Sequence, residues 1–210
     1  MSDDAPKRQY DNSRRRALAA QTRDRIVLAG AELVRGSSIR DWRSVTMRAV
    51  AARANVNERT VYRHFPNERA LRDAVMQSLE EQVGIDLDAL RLGDVAAAGA
   101  RIFEFVSTWG RARGRANVPL DPTLVDANRR QHDALLSAVK EHAARWPSSD
   151  RTIAAATLDL LWAVGSYERL VHDWQLDHDD AVRAITWAIG LVEDAVRDGN
   201  RPPRAHRSSS

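Results

Sequence analysis

Apolar residues recur every three or four positions along most of the chain, which is the spacing of amphipathic helices. No segment shows the strict alternation of a half-buried strand, and no Asn-Gly hairpin turn separates two apolar runs. We therefore expect an all-α fold. The pattern predicts helices over residues 22–35, 46–54, 57–65, 67–83, 94–113, 121–130, 131–146, 149–174 and 178–198.

Residues 45–69, VTMRAVAARANVNERTVYRHFPNER, predict two short helices joined by a tight turn. Thr46 and Asn57 are good N-caps, because a side-chain oxygen can accept a backbone N–H at the start of a helix. Asn55 tolerates the left-handed conformation of a sharp turn, and Pro66 ends the second helix. This layout is typical of a helix-turn-helix, whose second helix enters the major groove. Two short amphipathic helices also occur as ordinary packing.

The distribution of charge favours contact with nucleic acid. Residues 1–75 contain 16 Lys and Arg against 9 Asp and Glu, a net charge of +7, whereas residues 76–210 carry −4. A cationic patch around a reading helix is the electrostatic signature of a protein that binds phosphate backbones. The alternative is a solvated surface with an uneven distribution of charge.

The termini are predicted to be disordered arms. Residues 1–20 are polar and basic, and the basic side chains in this arm could either contact phosphates or only increase solubility. Residues 21–66 form the expected helix-turn-helix domain, residues 67–199 a second helical domain, and residues 200–210 a disordered tail.

The predicted helix over 149–174 is apolar around most of its circumference, and the predicted helix over 178–198 carries a widened apolar stripe. Such helices cannot bury every apolar side chain against one small core. Pairing with a second copy would form a four-helix interface, so we expect a homodimer. The alternative is a fully enclosed helix pair.

The sequence does not favour catalysis. It contains no cysteine, which removes thiol chemistry and Cys-ligated metals, and it has neither a zinc-protease spacing, a Gly-rich phosphate loop nor a nucleophile elbow. Glu168 and His172 could share a helix face near His178, but ordinary surface residues explain them as well. We expect no enzyme activity, no metal and no cofactor.

The first 16 residues lack the apolar core of a secretory signal, and no run of 18 apolar residues is present. A location in the cytoplasm, away from the membrane, is therefore expected.

Over residues 22–83 the chain resembles the TetR family of bacterial transcriptional regulators. The resemblance rests on VTMRAVAARANVN followed by ERTVYRHFPNERAL and a long helix. It implies a three-helix DNA-binding domain, followed by a helical domain with a small-molecule pocket and a dimer interface formed by the last two long helices. Residues 67–199 are accordingly the expected effector-binding and dimerisation domain.

The resemblance places DNA contacts on the two motif helices. Arg59 is the expected base reader, because a guanidinium can donate two hydrogen bonds to guanine. The family's usual turn glycine is replaced by Asn55, and its common phosphate-binding lysine by Glu68, which cannot donate a hydrogen bond. The full set of expected DNA-binding residues is Thr46, Arg48, Asn57, Glu58, Arg59, Thr60, Tyr62, Arg63 and His64.

An effector pocket among the middle helices would need apolar walls and a polar group. Ordinary core packing is the alternative for each aromatic residue. The candidates are Phe103, Phe105, Trp109, Arg113, His132, Trp162 and Tyr167. The expected function is that of a homodimeric repressor, released from its double-stranded DNA operator by a small-molecule effector. The alternative is a constitutive DNA-binding dimer without an effector.

Overall fold

The computed structural model describes residues 12–36, 42–109 and 120–203. Within these ranges the chain forms nine α-helices and one 3-10 turn (Leu92–Asp94) and no strand, which confirms the all-α prediction. The helices are α1 (Asn12–Arg35), α2 (Met47–Arg53), α3 (Glu58–His64), α4 (Glu68–Val83), α5 (Val95–Ser107), α6 (Pro122–His142), α7 (Ser148–Trp162), α8 (Val164–His172) and α9 (His178–Arg197).

The pattern of contacts divides the chain into two compact units, and the division falls between Ser78 and Leu79, inside α4. The first unit holds α1, α2, α3 and the first part of α4. The second unit holds the end of α4 and all later helices. The sequence placed the domain boundary earlier, after residue 66.

The first unit has a small core of its own. Trp42, which leads into α2, is buried together with Val50 of α2 and Val61 of α3. Gly30 of α1 permits a close approach to α4, because a Cβ at this position would lie 2.4 Å from Cγ2 of Val75. The backbone of α1 therefore rests directly on a side chain of α4.

The second unit packs α5, α6, α7, α8 and α9 around a larger core. Among the described residues its buried side chains are apolar except for Thr123 of α6 and Glu193 of α9. The largest members of the core are Leu92, Phe103, Leu135, Leu158, Trp162 and Ile189.

The prediction of a disordered arm over residues 1–20 was wrong for residues 12–20, because α1 begins at Asn12. Thr22, where the predicted helix began, lies inside α1, and its hydroxyl donates to the carbonyl of Leu18. The segment from Arg14 to Gln21 contains Ala, Leu, Arg and Gln, which are good helix formers, and neither Gly nor Pro. The basic residues Lys7 and Arg8, and the tail after residue 203, lie outside the described residues.

Two other helix boundaries differ from the prediction. Residues 121–130 and 131–146 were expected to form two helices, but α6 is continuous, because no Gly or Pro interrupts it. The single helix expected over 149–174 is broken at Ala163, where ψ is 135°. The hydroxyl of Ser166 donates to the freed carbonyl of Leu160, so a side chain replaces a helical hydrogen bond at the break.

Candidate nucleic-acid interface

The caps predicted for the helix-turn-helix are present. The hydroxyl oxygen of Thr46 accepts from the backbone N–H of Ala49 at 3.1 Å, and Oδ1 of Asn57 accepts from the N–H of Arg59 at 2.8 Å. Each bond satisfies a backbone donor that has no partner inside its helix. Local sequence therefore determines the residues at which α2 and α3 begin.

The turn between α2 and α3 uses Asn55 in the left-handed region, with φ at 52°. Asn is among the few residues other than Gly that adopt this conformation readily. Val61 and Phe65, four residues apart on one face of the chain, are buried. The apolar face of α3 is thus held inside the unit and its other face remains free for contact.

Three predicted DNA-binding cations, Arg48, Arg59 and Arg63, are exposed and form no ion pair among the described residues. Arg53, by contrast, pairs with Glu32 of α1 at 2.6 Å. Tyr62 is 53% exposed. This part of the surface offers unneutralised guanidinium groups beside a phenol, which is the chemistry that phosphates and base edges require.

The other predicted contacts lie close by. Asn57 and Glu58 are exposed, whereas Thr46 and Thr60 are half-buried. Glu58 lies in the first turn of α3, where its charge is favourable to the helix dipole.

His64 differs from its neighbours, because its Nε2 atom is buried and has no hydrogen-bond partner. Burial lowers the pKa of His64 below its ordinary value, and the charges of Arg63 and Arg23 lower it further. The guanidinium of Arg23 also lies 5.0 Å from the ring centre of Phe65. At neutral pH the imidazole is therefore mostly uncharged and adds little attraction for phosphate.

Glu68, where the resemblance led us to expect a lysine, holds the start of α2. Its Oε1 accepts from the backbone N–H of Met47 at 3.4 Å, and its Oε2 lies 3.1 Å from a guanidinium nitrogen of Arg72. The Nε of Arg72 in turn donates to the carbonyl of Val45 at 3.0 Å. Sequence reasoning missed this arrangement, because it joins residues more than twenty positions apart.

Three of the predicted pocket residues, Phe103, Trp162 and Tyr167, lie together in the core of the second unit. Phe103 and Tyr167 stack with ring centres 5.2 Å apart. The indole Nε1 of Trp162 is buried without a hydrogen-bond partner. A buried N–H of this kind loses its bond to water on folding, and a bound acceptor would restore it.

Tyr167 also belongs to a polar chain that joins α8, α9 and α5. Its hydroxyl lies 2.9 Å from Nδ1 of His178, and Nε2 of His178 lies 2.8 Å from a carboxylate oxygen of Glu104. A carboxylate oxygen can accept a proton carried on Nε2 of the imidazole, and in that tautomer Nδ1 can accept the proton of the Tyr167 hydroxyl. Burial and the charge of Glu104 both raise the pKa of Tyr167.

The remaining pocket candidates lie in other surroundings. Phe105 and Trp109 meet edge to face at the end of α5, with ring centres 5.5 Å apart. His132 is exposed on α6, and its Nε2 lies 3.3 Å from a carboxylate oxygen of Asp159. Arg113 lies outside the described residues.

The second unit exposes large apolar side chains on α7 and α9. Leu160 is 66% exposed, Trp187 is 70% exposed, and Ile153 and Leu191 are about half exposed. An open groove beside Trp187 is lined by Leu176, Asp180, Arg183, Ala184 and Thr186. None of the predicted pocket residues lines this groove.

Across the described ranges, no three His, Asp or Glu side chains cluster so as to hold a metal ion. No helix in those ranges is long and apolar enough to cross a membrane.

Comparison with known proteins supports the prediction that the first unit contains a helix-turn-helix DNA-binding domain. Residues 38–75 match the family model described as bacterial regulatory proteins, tetR family. The match spans Thr46, the turn and all of α3, so it covers every expected DNA-binding residue. A search of curated proteins found no match to the chain.

Proposed function

We propose that this chain, a DNA-binding transcriptional regulator of the TetR family, is a homodimeric repressor that a small molecule releases from its operator. Each subunit would place α3 in the major groove of one half of a pseudo-palindromic site. The two copies of α3 would then lie about 34–36 Å apart, one turn of DNA. Since bacterial operators lie in the cytoplasm, we propose that the protein acts there.

The observation that carries the DNA-binding part of the proposal is that the guanidinium groups of Arg48, Arg59 and Arg63 are exposed and form no ion pair with any residue that the structure describes. Arg59 follows Asn57 and Glu58 at the N-terminal end of α3, the end from which a recognition helix reads base edges. Tyr62 and Arg63 lie further along the helix and fix its position by contact with phosphates.

The exposed apolar face of α7 and α9 supports the homodimer. Leu160, Trp187 and Leu191 expose apolar area to water in a monomer. Full burial of one large apolar side chain stabilises a protein by about 1.5–3 kcal/mol. Pairing the same face on two copies buries this area symmetrically, with α8 beside it.

The core around Trp162 and Tyr167 supports the effector. The unpartnered indole N–H of Trp162 and the chain from Tyr167 through His178 to Glu104 place directional polar groups among aromatic rings. Because α4 is one continuous helix from Glu68 to Val83, a ligand that displaces its end would move its beginning. Release requires that the ligand bind the DNA-free form better, by a coupling of roughly 1–3 kcal/mol.

A constitutive DNA-binding dimer is the second candidate. The direct stacking of Phe103 on Tyr167 favours it, because these rings fill space that a ligand would otherwise occupy. Adding candidate metabolites to the protein–DNA complex separates the two, since a constitutive dimer is not released by any of them.

Operator binding is tested by gel shift on the DNA upstream of the protein's own gene. We expect Arg59→Ala to cost roughly 1–3 kcal/mol of binding free energy, the usual range for one base contact. Arg53→Ala is the matched control, because Arg53 is an exposed arginine of α2 already paired with Glu32. Equal losses in both variants would remove Arg59 from the readout.

The dimer is tested by analytical ultracentrifugation of the full chain. Leu160→Glu and Trp187→Glu should shift the protein to monomers, because a desolvated carboxylate in an apolar interface is strongly unfavourable. Val125→Glu on α6 is the control, since Val125 is also about half exposed but lies outside the proposed interface. A dimer that survives both interface substitutions contradicts the proposal.

A further inference from the structure

Glu68 and Arg72, one turn apart on α4, hold the chain on both sides of Thr46. Glu68 accepts from the N–H of Met47, and Arg72 donates to the carbonyl of Val45. The ion pair between them, at 3.1 Å, connects the two contacts. The position of the first residues of α2 therefore depends on the beginning of α4.

The same carboxylate lies where a phosphate would approach. The first helix of a helix-turn-helix crosses the DNA backbone, and Thr46 and Arg48, on either side of Met47, are among the expected contacts. Arg72 is 17% exposed and Glu68 is 43% exposed, so the acid is the more accessible member of the pair. A phosphate near Met47 consequently meets a negative charge.

A second ion pair on α4 shows what is particular to Glu68. Arg69 and Asp73 also lie one turn apart, with Nε of Arg69 2.7 Å from Oδ1 of Asp73. An exposed pair of this type contributes little to stability. The described contacts of Glu68 differ because they include the main chain of α2.

We propose that Glu68 is a positioning residue of the DNA-binding surface: it fixes the start of α2 and weakens the general attraction of this surface for phosphates. The positioning effect raises the ratio of operator binding to non-specific binding, and the charge effect lowers the affinity for duplexes of any sequence. The inference rests on the proposed contact of α2 and α3 with DNA. On this proposal, having Glu68 in place of the family's lysine helps the protein to distinguish its operator from other DNA.

The charge effect is tested with Glu68→Gln, which keeps an oxygen for the N–H of Met47 and removes the charge. The full-chain protein is titrated with a mixed-sequence duplex over a series of salt concentrations, with fluorescence anisotropy as the readout. We expect about two- to tenfold tighter binding at low salt, from Coulomb energies at partly solvated separations. The dependence of log K on log salt should steepen by up to about one unit.

Asp73→Asn is the matched control, because it also removes one carboxylate that pairs with an arginine on α4. Its effect on the mixed-sequence duplex should stay below about twofold. An equal gain in both variants, or no gain for Glu68→Gln, overturns the charge effect.

The positioning effect is tested with Glu68→Ala, which also removes the acceptor for Met47. We expect its affinity for an operator selected from a random duplex pool to fall at least about fivefold relative to Glu68→Gln, while the two bind mixed-sequence duplex alike. Equal operator affinities overturn the positioning role. If the unmodified protein binds no duplex, the proposed function itself is contradicted. If the unmodified protein binds duplex and the Glu68 variants bind with the same affinity, only this inference is contradicted.

Discussion

The two units place a carboxylate from a later helix against the first turn of an earlier helix, but in different surroundings. In the first unit Glu68 of α4 accepts from Met47 of α2 and remains partly exposed. In the second unit Glu193 of α9 accepts from the N–H of Ala96 in α5 at 3.4 Å and is 5% exposed. The same kind of local contact is therefore open to solvent in one unit and buried in the core in the other.

The environment of each carboxylate explains this difference. Burial raises the pKa of Glu193, against the opposing effects of Ala96 and Arg197, because an ionised group loses solvation in the core. The guanidinium of Arg197 lies 3.1 Å from the carboxylate and is itself partly exposed. We therefore expect removal of the Glu193 carboxylate to change mainly the stability of the protein, and removal of the Glu68 carboxylate to change mainly its binding of DNA.

The largest difference in unfolding free energy should come from substituting one glycine in each unit by alanine. Gly30→Ala in the first unit should destabilise the protein by about 3 kcal/mol, because the new Cβ would overlap Val75 in a packed core. Gly99→Ala in the second unit meets only ordinary contacts at 3.6 and 3.7 Å and should be neutral or stabilising by up to about 1 kcal/mol. Denaturant unfolding measures both.

A double variant checks the cause. Val75→Ala removes the methyl group that a Cβ at residue 30 would meet, so adding it to Gly30→Ala should cost less than the sum of the two single changes. Strict additivity would show that the close approach of α1 to α4 is not the source of the loss.

The next largest effect separates the two carboxylates directly. Glu193→Ala leaves the N–H of Ala96 without its acceptor and should cost about 1–3 kcal/mol of unfolding free energy. Glu68→Ala should cost less than about 1 kcal/mol, because its charge is already partly solvated. Hydrogen exchange should locate each loss in its own unit, and a larger loss for Glu68→Ala would reverse the comparison.

The smallest effect is a pH dependence of opposite sign in the two units. Burial lowers the pKa of His64 from 6.5, so the stability that it contributes is present above pH 6.5 and is lost as the pH falls through the folded-state value. The raised pKa of Glu193 contributes stability that is full below pH 4.5 and is lost as the pH rises through its folded-state value.

Acidification from neutral pH should therefore weaken protection from hydrogen exchange in the first unit and strengthen it in the second. His64→Gln and Glu193→Gln should each remove the dependence in one unit only. The same sign in both units would contradict these assignments.

Local chemistry explains why the helix-turn-helix could be predicted residue by residue. The caps at Thr46 and Asn57 and the turn at Asn55 involve residues within a few positions of one another, so their physics is present in the sequence. Contacts between distant residues could not be predicted in this way. The interaction of Glu68 with Met47 depends on how α4 packs, and no local pattern indicates it.

The beginning of α1 and the break at Ala163 fall between these cases. The residues after Asn12 have high helix propensity and so do indicate a helix. The prediction of a disordered arm gave more weight to their positive charge and polarity. At Ala163 neither Gly nor Pro marks the interruption, which depends on the hydroxyl of Ser166 and on the burial of Trp162 and Tyr167 on either side. Predictions of individual pocket residues remain predictions, because they depend on such packing.

The exposed indole of Trp187 provides an intrinsic optical label. Trp187 and Trp174 are each 70% exposed, whereas Trp42 and Trp162 are buried. The exposed rings should emit at long wavelength and be quenched by dissolved iodide, and the buried rings should not. Association through α9 would shield Trp187, so a dilution series of the unlabelled protein reports its assembly through the colour and quenching of its own fluorescence.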